Sequence, residues 1–420
     1  MNDYVGAHGI RHGKRTVDLP LIVVLVILLA LFFDFTNGFH DTANAMATPI
    51  ATGAMRPKVA VALAAVLNLI GAFLSTEVAK TISGGIIREG AGGVQITPVL
   101  IFAGLVGAIV WNMVTWLFGL PSSSSHALFG GLIGAAIVGS GLQSVDFVVV
   151  LDKVILPAII APFTAGVVAW SATKLAYWIT RRYDGRPDGR GGFRYGQIFS
   201  SSLVALSHGT NDAQKTMGVI TLTLISAGLQ PLGSGPEIWV IIACALAIAL
   251  GTYSGGWRII RTLGRGLTEI KPAQGFAAET STAAAILASS HLGFALSTTQ
   301  VASGSVIGSG LGRRGSSVRW GTAGRIGVGW LLTLPSAAIV GGLAALLADI
   351  GPIGVAIDVV LGATVVTYIF WRARRNRITS ENAVAPVPLQ GKSEVAASGK
   401  AVKIKKVKPL KRDRPRKESA

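Results

Sequence analysis

The residues best suited to chemistry are two aspartates, which stand in two copies of one short motif. Asp41 lies in GFHDTANAM at residues 38–46, and Asp212 lies in GTNDAQKTM at residues 209–217. Both motifs are embedded in apolar sequence, where a carboxylate is costly to bury and usually marks a path for ions or protons. The two copies therefore predict one cation-binding or proton-carrying site to which both halves of the chain contribute.

Two clusters of hydroxyl residues offer groups that prefer anions. The first is PSSSSH at residues 121–126, and the second is ALSTTQ at residues 295–300, at an offset of 174 positions. Hydroxyls at the start of a helix, together with unpaired backbone N–H groups and the helix dipole, bind oxyanions. A single cluster is better explained by local bonding to the backbone, but two clusters at matching positions favour an oxyanion site. The candidate ligands are Ser123, Ser124, Ser125, Ser297, Thr298 and Thr299.

Other polar residues in apolar sequence extend the candidate site. Glu279 is a third acid suited to cation coupling. Lys215 stands three residues after Asp212, so an internal ion pair is the alternative to a cation site there. No metal-ligand motif such as HExxH is present, and no metal site is assigned. Three histidines could relay protons or serve in polar helix packing: His40, His126 and His208.

The composition places the chain among integral membrane proteins. Half of its 420 residues are hydrophobic, only 14% are charged, and the mean hydropathy is +0.57, whereas soluble domains carry about a quarter charged residues. The apolar stretches lack the period of two that a membrane β-barrel requires. We therefore predict an all-α integral membrane protein with roughly 10–12 transmembrane segments, some of them re-entrant or broken. The apolar pattern is interrupted near 19–55, 198–229 and 273–311.

Basic residues mark the cytoplasmic side of a membrane protein and divide this chain into five parts. With the basic loops on one side, the segment that holds Asp41 crosses the membrane in the opposite direction to the segment that holds Asp212. The two repeats are thus predicted to have inverted topology, as in many secondary transporters. The parts are an N-terminal segment at 1–18, a first membrane repeat at 19–180, a cytoplasmic basic loop at 181–197, a second membrane repeat at 198–371 and a basic cytoplasmic tail at 372–420.

The basic tail accounts for most of the net charge of +18, because it holds 15 Lys/Arg and 4 Asp/Glu after Trp371. Basic residues beyond a final membrane helix fix orientation and contact anionic lipid. We therefore predict lipid contact and no nucleic-acid binding, with the rest of the tail disordered.

The motifs closely resemble those of the inorganic phosphate transporter (PiT) family, in its bacterial low-affinity permease type. The matching phrases lie at residues 37–45, 121–126 and 209–215. The resemblance covers residues from about 30 to 310. It implies a fold of two inverted repeats and a secondary transporter, not an enzyme, that imports phosphate by cation symport across the bacterial plasma (inner) membrane.

The resemblance also implies roles for individual residues. The hydroxyl clusters would hold phosphate, and the two aspartates would serve the cation. The sequence departs from the family pattern at Gln300, where the family often has histidine, and at Lys215, which stands where the first motif has an asparagine. The motif residues placed at the core by the resemblance are Asp41, Asn44, Asn211 and Asp212, and the two asparagines are further candidate substrate ligands.

The sequence leaves the coupling ion and the substrate open between named alternatives. Bacterial members of this type resemble proton symporters that take phosphate as a neutral complex with a divalent metal, and other branches use Na⁺. Sulfate or another tetrahedral oxyanion would fit the same hydroxyls. A cation exchanger would use the same acids but would not need two hydroxyl clusters. No cofactor is predicted beyond the co-transported ion. The sequence does not decide whether the protein forms a homodimer. It has no P-loop motif for direct use of ATP.

Overall fold

A computed structural model describes residues 18–83, 96–183 and 191–384, and within them the chain is helical without a β-strand. Residues 1–17 of the N-terminal segment and 385–420 of the tail lie outside the described residues. The first half contains α1 (Leu19–Ala51), α2 (Pro57–Gly71), α3 (Glu77–Ser83), α4 (Pro98–Leu117), α5 (Ser124–Ser140), α6 (Phe147–Val150) and α7 (Leu156–Tyr183). The second half contains α8 (Gly192–Ser226), α9 (Ile238–Ser254), α10 (Trp257–Arg261), α11 (Pro272–His291), α12 (Thr298–Gly312), α13 (Trp320–Ala348) and α14 (Pro352–Arg375). A π-helical turn at Leu151–Ile155 joins α6 to α7, and another at Thr262–Gly266 extends α10.

Five helices of the described residues are long and apolar enough to cross a membrane. A sixth span results if α9 and α10 count as one, because the pair passes the same test but is bent by 56° at a short break. The short helices α2 and α5 are also apolar. The prediction of an all-α membrane protein with broken helices is therefore confirmed. The five helices are Leu19–Ala51, Pro98–Leu117, Phe147–Thr180, Trp320–Ala348 and Pro352–Arg375. The third of these combines α6, the π-helical turn and most of α7 into one span.

Equivalent helices of the two halves cross their neighbours in equivalent ways. α1 crosses α9 at Gly38, where an added methyl group would overlap the backbone carbonyl of Ile248. α8 crosses α2 at Gly209, where a methyl group would overlap the backbone carbonyl of Asn68. The two glycines hold the same place in the repeated motif, so its Gly permits a close backbone approach in both halves.

The helices that carry the two motifs run in opposite directions. The middle of α1 lies beside the middle of α8, where Asp41 faces His208. The end of α1 lies beside the start of α8, where Thr52 Oγ1 donates to Gln197 Oε1 at 2.8 Å. α1 and α8 are thus antiparallel, and the predicted inverted topology of the two repeats is confirmed.

Two helical hairpins, α4–α5 and α11–α12, carry the hydroxyl clusters between their helices. The second helix of each hairpin packs against a helix of the other repeat, α5 against α13 and α12 against α7. Gly130 of α5 touches the backbone of Leu334, and Gly304 of α12 touches the backbone of Pro162. The repeats are interlocked, so neither hairpin is positioned by its own repeat alone.

The interruptions of the apolar pattern at the two motifs are not interruptions of the helices. α1 continues through Asp41 for 33 residues, and α8 continues through Asp212 for 35 residues. The polar side chains find partners on other helices, so the main-chain hydrogen bonds of α1 and α8 are retained. The breaks lie between α9 and α10 and in the two hairpins instead.

The observed helix ends differ from the predicted boundaries by a few residues. α7 continues through Tyr183 and α8 begins at Gly192, so both enter the range 181–197 that was expected to be a loop. α14 continues to Arg375, past the predicted start of the tail at residue 372. The start of a basic run does not by itself end a helix, because a long charged side chain can reach water from a helical position.

Several basic segments lie at one end of the helices. Arg194, at the start of α8, donates to the carbonyl oxygen of Gly53 at 2.8 Å, just after α1. Arg319, before α13, donates to the carbonyl oxygen of Arg265 in the π-helical turn that packs against α1. These basic segments therefore lie on the same side of the helices, as the predicted topology requires.

Substitution of either crossing glycine is expected to destabilise the protein. Gly38→Ala and Gly209→Ala each force a methyl group against a backbone carbonyl, at an expected cost of about 2 kcal/mol or more. The melting temperature of the purified protein in detergent measures the effect. Gly362→Ala in α14 is the control, because its methyl group meets nothing within 4 Å. Equal melting temperatures for all three variants would contradict the close crossings.

Candidate functional site

The two motif aspartates meet in the interior, joined by one hydroxyl of the second hairpin. Thr298 Oγ1 lies 3.2 Å from Asp41 Oδ2 and 3.1 Å from Asp212 Oδ2. All three side chains are buried. A hydroxyl has one proton and can donate to only one carboxylate at a time. The other carboxylate must therefore be satisfied by further donors or by positive charge beside it.

Two basic side chains lie next to these carboxylates. His208 Nε2 lies 2.8 Å from Asp212 Oδ2 and 3.8 Å from Asp41 Oδ2. Lys215 forms an ion pair with Asp212 Oδ1 and donates to the carbonyl oxygen of Leu296 at 3.1 Å. The predicted alternative, an internal Asp212–Lys215 pair, is therefore present. It does not exclude a cation, because the ligand atoms of Asp41, His208 and Asp212 lie within 4.8 Å of one another.

The hydroxyl clusters form the starts of two helices that face each other. Ser123 Oγ accepts from the amide of His126 at 3.1 Å, and Ser297 Oγ accepts from the amide of Gln300 at 3.3 Å. Both hydroxyls thus cap their helices, which favours a positioning role over the ligand role predicted for them. The side chains of His126 and Gln300 meet at 3.3 Å, so the position where histidine was expected still completes a contact between the repeats.

The next hydroxyls of each cluster point to the carboxylates. Ser124 Oγ lies 3.4 Å from Asp41 Oδ2, and Thr299 Oγ1 lies 3.0 Å from Asp41 Oδ1. Ser125 Oγ is buried and has no hydrogen-bond partner among the described residues. The backbone N–H groups at the start of a helix have no intrahelical acceptor, so each hairpin also offers main-chain donors here.

The two motif asparagines hold the second hairpin from both sides. Asn44 Nδ2 donates to Thr299 Oγ1 at 3.1 Å, whereas Asn211 Nδ2 donates to the carbonyl oxygen of Leu296 at 3.0 Å and to Asp212 Oδ1 at 2.8 Å. Asn44 Oδ1 is buried without a hydrogen-bond partner in the described part of the chain. Both amides thus lie in the cluster that the sequence predicted, and one still has an atom to offer a ligand.

The predicted histidines occupy different positions relative to the acids. His40 Nδ1 lies 2.7 Å from Asp41 Oδ1, and its other ring nitrogen lies 3.4 Å from the hydroxyls of Thr115 and Ser122. His208 contacts both aspartates, whereas His126 contacts the second hairpin. Only His40 and His208 are therefore placed to exchange a proton directly with a carboxylate.

Glu279 lies in a separate polar cluster. Ser200 Oγ donates to it at 2.6 Å, Gln197 Nε2 donates at 3.1 Å, and Thr48 Oγ1 also donates. Thr48 stands two turns after Asp41, which corresponds to roughly 10 Å along α1. Glu279 is thus buried beside the central site and nearer to the basic end of α1, not within the site itself.

Sequence reasoning missed the partners of Glu279 and of His40. Thr48, Gln197 and Ser200 come from two helices, and Thr115 lies one turn before the first hairpin loop. Single hydroxyl and amide residues inside apolar helices carry no local signal, since most of them bond to their own backbone. Thr48 lies seven residues after Asp41, and Ser200 lies twelve residues before Asp212. These spacings from the two motifs could have suggested the cluster.

Comparison with known proteins agrees with this architecture. The chain matches the model of the Phosphate transporter family twice, over residues 37–190 and 180–341. It is 60% identical over 327 residues to a Mycobacterium bovis protein named "Probable low-affinity inorganic phosphate transporter", covering 77% of each chain. A Rhizobium meliloti protein of the same name is 45% identical and covers 80% of this chain and 98% of its own. The Bacillus subtilis protein of that name is 42% identical.

A solved structure described as "The sodium-dependent phosphate transporter" has the same fold. It aligns with a TM-score of 0.62 at 22% identity and covers 78% of this chain and 98% of its own. The apolar helices and the bacterial relatives together identify a multi-pass protein of the plasma membrane. The prediction of a transporter and not an enzyme is also confirmed. The chain belongs to the Phosphate transporter family.

Proposed function

We propose that this chain imports inorganic phosphate by cation symport through a site shared by its two repeats. The observation that supports the proposal is the meeting of two helix starts with two carboxylates in one buried cluster. Helix starts and hydroxyls favour an oxyanion, and the carboxylates favour a cation. Either ligand alone would leave one half of the cluster electrostatically unsatisfied, so the two are expected to bind together.

The phosphate ligands are proposed to be the hydroxyls and main-chain donors that follow the two capping serines. Ser124 and Thr298 occupy the first helical positions of α5 and α12, and Ser125 and Thr299 occupy the second. In the present state the hydroxyls of Ser124, Thr298 and Thr299 face carboxylates. When a cation or proton neutralises these carboxylates, the hydroxyls can turn to an anion without leaving buried charge unpaired.

The coupling ion is proposed to be a proton. His208 lies between the two aspartates, and histidine is the side chain whose ordinary titration range spans neutral pH. Lys215 already pairs with Asp212 Oδ1, so a sodium ion would have only the Oδ2 atom of that carboxylate as a ligand. A divalent metal would enter as part of the substrate, bound to phosphate, and the oxygen and imidazole atoms of Asp41, Asp212 and His208 fit such an ion.

The substrate is tested by competition between oxyanions. Phosphate at neutral pH carries protons that it can donate to the acceptors Asp41 and Asp212, whereas sulfate carries none. Uptake of labelled phosphate into vesicles should therefore persist in a tenfold excess of sulfate and disappear in the same excess of unlabelled phosphate. Strong inhibition by sulfate would contradict phosphate selectivity and indicate a general oxyanion permease.

Glu279→Gln is expected to slow coupled uptake by about tenfold while leaving phosphate affinity nearly unchanged. Glu279 accepts three hydrogen bonds from side chains, and a glutamine amide cannot accept all of them. Glutamine also has no negative charge and cannot take up a proton beside the central site. The maximal rate and the half-saturating phosphate concentration of uptake separate the two effects.

Glu269→Gln is the matched control for Glu279→Gln. Glu269 lies in a loop, and a hydrogen bond from the Lys271 ammonium lowers the pKa of its exposed carboxyl. Its removal should not alter the rate. An unchanged rate in Glu279→Gln would show that Glu279 only joins helices.

A further inference from the structure

A cavity of about 650 Å³ opens beside the break between α9 and α10. The break begins at Gly255, which has a φ of 74° that favours glycine. A side chain at residue 255 would overlap the Trp257 ring, so the break requires glycine for its space as well as for its φ. The cavity lies beside this bend. It reaches α1, α4 and the end of α14.

One wall of this cavity is aromatic. Phe39 contacts Trp116 with ring centroids 5.3 Å apart, and Trp116 contacts Phe370 at 5.6 Å. Phe35 continues the row, 5.7 Å from Phe39. The row joins three helices into an apolar surface, which hydrophobic chains can cover and small hydrated ions cannot.

Three arginines also line the cavity: Arg258, Arg374 and Arg377. The Arg258 guanidinium lies over the Trp116 ring, 5.6 Å from its centroid, so the charged and aromatic surfaces adjoin. Arg258 is fixed by hydrogen bonds from its guanidinium to three backbone carbonyls, including those of Ala373 at 2.9 Å and Asn376 at 2.8 Å. These bonds attach it to the end of α14, where Arg374 lies, and to the residues just after the helix, where Arg377 lies. None of the three forms an ion pair within the described residues. The three guanidinium groups thus give the cavity a positive charge that no carboxylate of the described residues balances.

We propose that this cavity binds one anionic phospholipid, with its phosphate group on the arginines and its acyl chains on the aromatic wall. Basic pockets between membrane helices recognise lipid headgroups in this way, and arginine pairs with phosphate through two parallel hydrogen bonds. Free phosphate shares the headgroup chemistry but has no apolar part to cover the aromatic row. Charge and apolar surface together therefore select a lipid.

The lipid would lie next to the transport site. Phe39 in the cavity wall directly precedes His40, which contacts Asp41. A bound acyl chain would accordingly pack on the turn of α1 that holds the first aspartate. The lipid site does not rest on the identity of the transported ion, and its test requires no transport.

The test is a lipid-binding titration of the purified full-length protein by native mass spectrometry. Phosphatidylglycerol is compared with phosphatidylcholine of the same acyl chains, and inorganic phosphate is added as a competitor. In the wild type, phosphatidylglycerol should bind in preference and should not be displaced by millimolar inorganic phosphate. Equal binding of the two lipids, or displacement by inorganic phosphate, would overturn the proposal.

Two double variants remove the same charge from the same short segment. R374Q/R377Q removes cavity arginines and should weaken phosphatidylglycerol binding by roughly 25-fold, a factor of about five for each residue. R372Q/R375Q removes neighbours that do not line the cavity and should change binding less than about threefold. Arg377→Gln alone, expected to give about fivefold, covers the case in which the double variant does not fold. Equal losses in both pairs would mean diffuse attraction by the tail and would overturn the site.

Discussion

Asp41→Asn is expected to reduce coupled phosphate uptake by on the order of 100-fold. The Asp41 carboxylate lies within hydrogen-bonding distance of four side chains, those of His40, Ser124, Thr298 and Thr299. An amide can neither carry its charge nor accept at both atoms. Initial rates of labelled phosphate uptake by cells or vesicles give the size of the effect. Phosphate exchange without a gradient should be less affected, because the hairpin donors are intact.

The control for Asp41→Asn is Asp358→Asn. Asp358 is also a buried aspartate in a membrane helix, but it lies in α14 among apolar residues of α1 and α4. Its substitution should leave the uptake rate near that of the wild type at equal membrane abundance. Normal coupled uptake in Asp41→Asn would contradict a coupling role for the first aspartate.

The second large effect is expected from Thr298→Val, which keeps the shape of the side chain but removes its hydroxyl. Thr298 Oγ1 is the atom that reaches both aspartates, and it occupies the first position of α12. Loss of a hydrogen bond to a charged group costs about 1.5–3 kcal/mol, so phosphate affinity should fall by roughly 10- to 100-fold. Equilibrium binding of labelled phosphate to the purified protein measures this loss.

Ser309→Ala is the matched control for Thr298→Val, because Ser309 lies on the same helix and, among the described residues, its hydroxyl bonds only to the carbonyl oxygen of Val306. It should bind phosphate as the wild type does. If Thr298→Val retained full affinity, the Thr298 hydroxyl would not be a phosphate ligand.

The motif aspartates could be found from sequence because the chain repeats them, and repetition is visible without a structure. Asp41 and Asp212 were expected in one site and lie on two sides of Thr298. Their helices were expected to break, however, because the polar residues interrupt the apolar pattern. The partners that keep α1 and α8 intact come from distant hairpins, and distant contacts leave no mark in the local pattern.

The hydroxyl clusters illustrate a second limit of sequence reasoning. All six residues were predicted to be ligands, but Ser123 and Ser297 cap their helices through the amides three positions later. Capping and ligand binding call for the same residue types at adjacent positions, so composition cannot separate them. The register of the helix start, which only the fold specifies, decides which hydroxyl faces the site.

The two halves of the site are not chemically equivalent. Asn44 donates to hydroxyls of the second hairpin, whereas Lys215, at its equivalent position, forms an ion pair with Asp212. The first aspartate is therefore the one whose charge is balanced only by histidine in this state. This asymmetry makes Asp41 the proposed point where the coupling ion enters.

Concentrative uptake of labelled phosphate into proteoliposomes tests the shared symport site most directly. The purified protein is reconstituted without other proteins, and an inward proton gradient or an inward sodium gradient is imposed, each with and without Mg²⁺. The site predicts that the proton gradient drives phosphate above its external concentration in the wild type but not in Asp41→Asn. Absence of accumulation under every gradient, or equal accumulation by the wild type and Asp41→Asn, would contradict it.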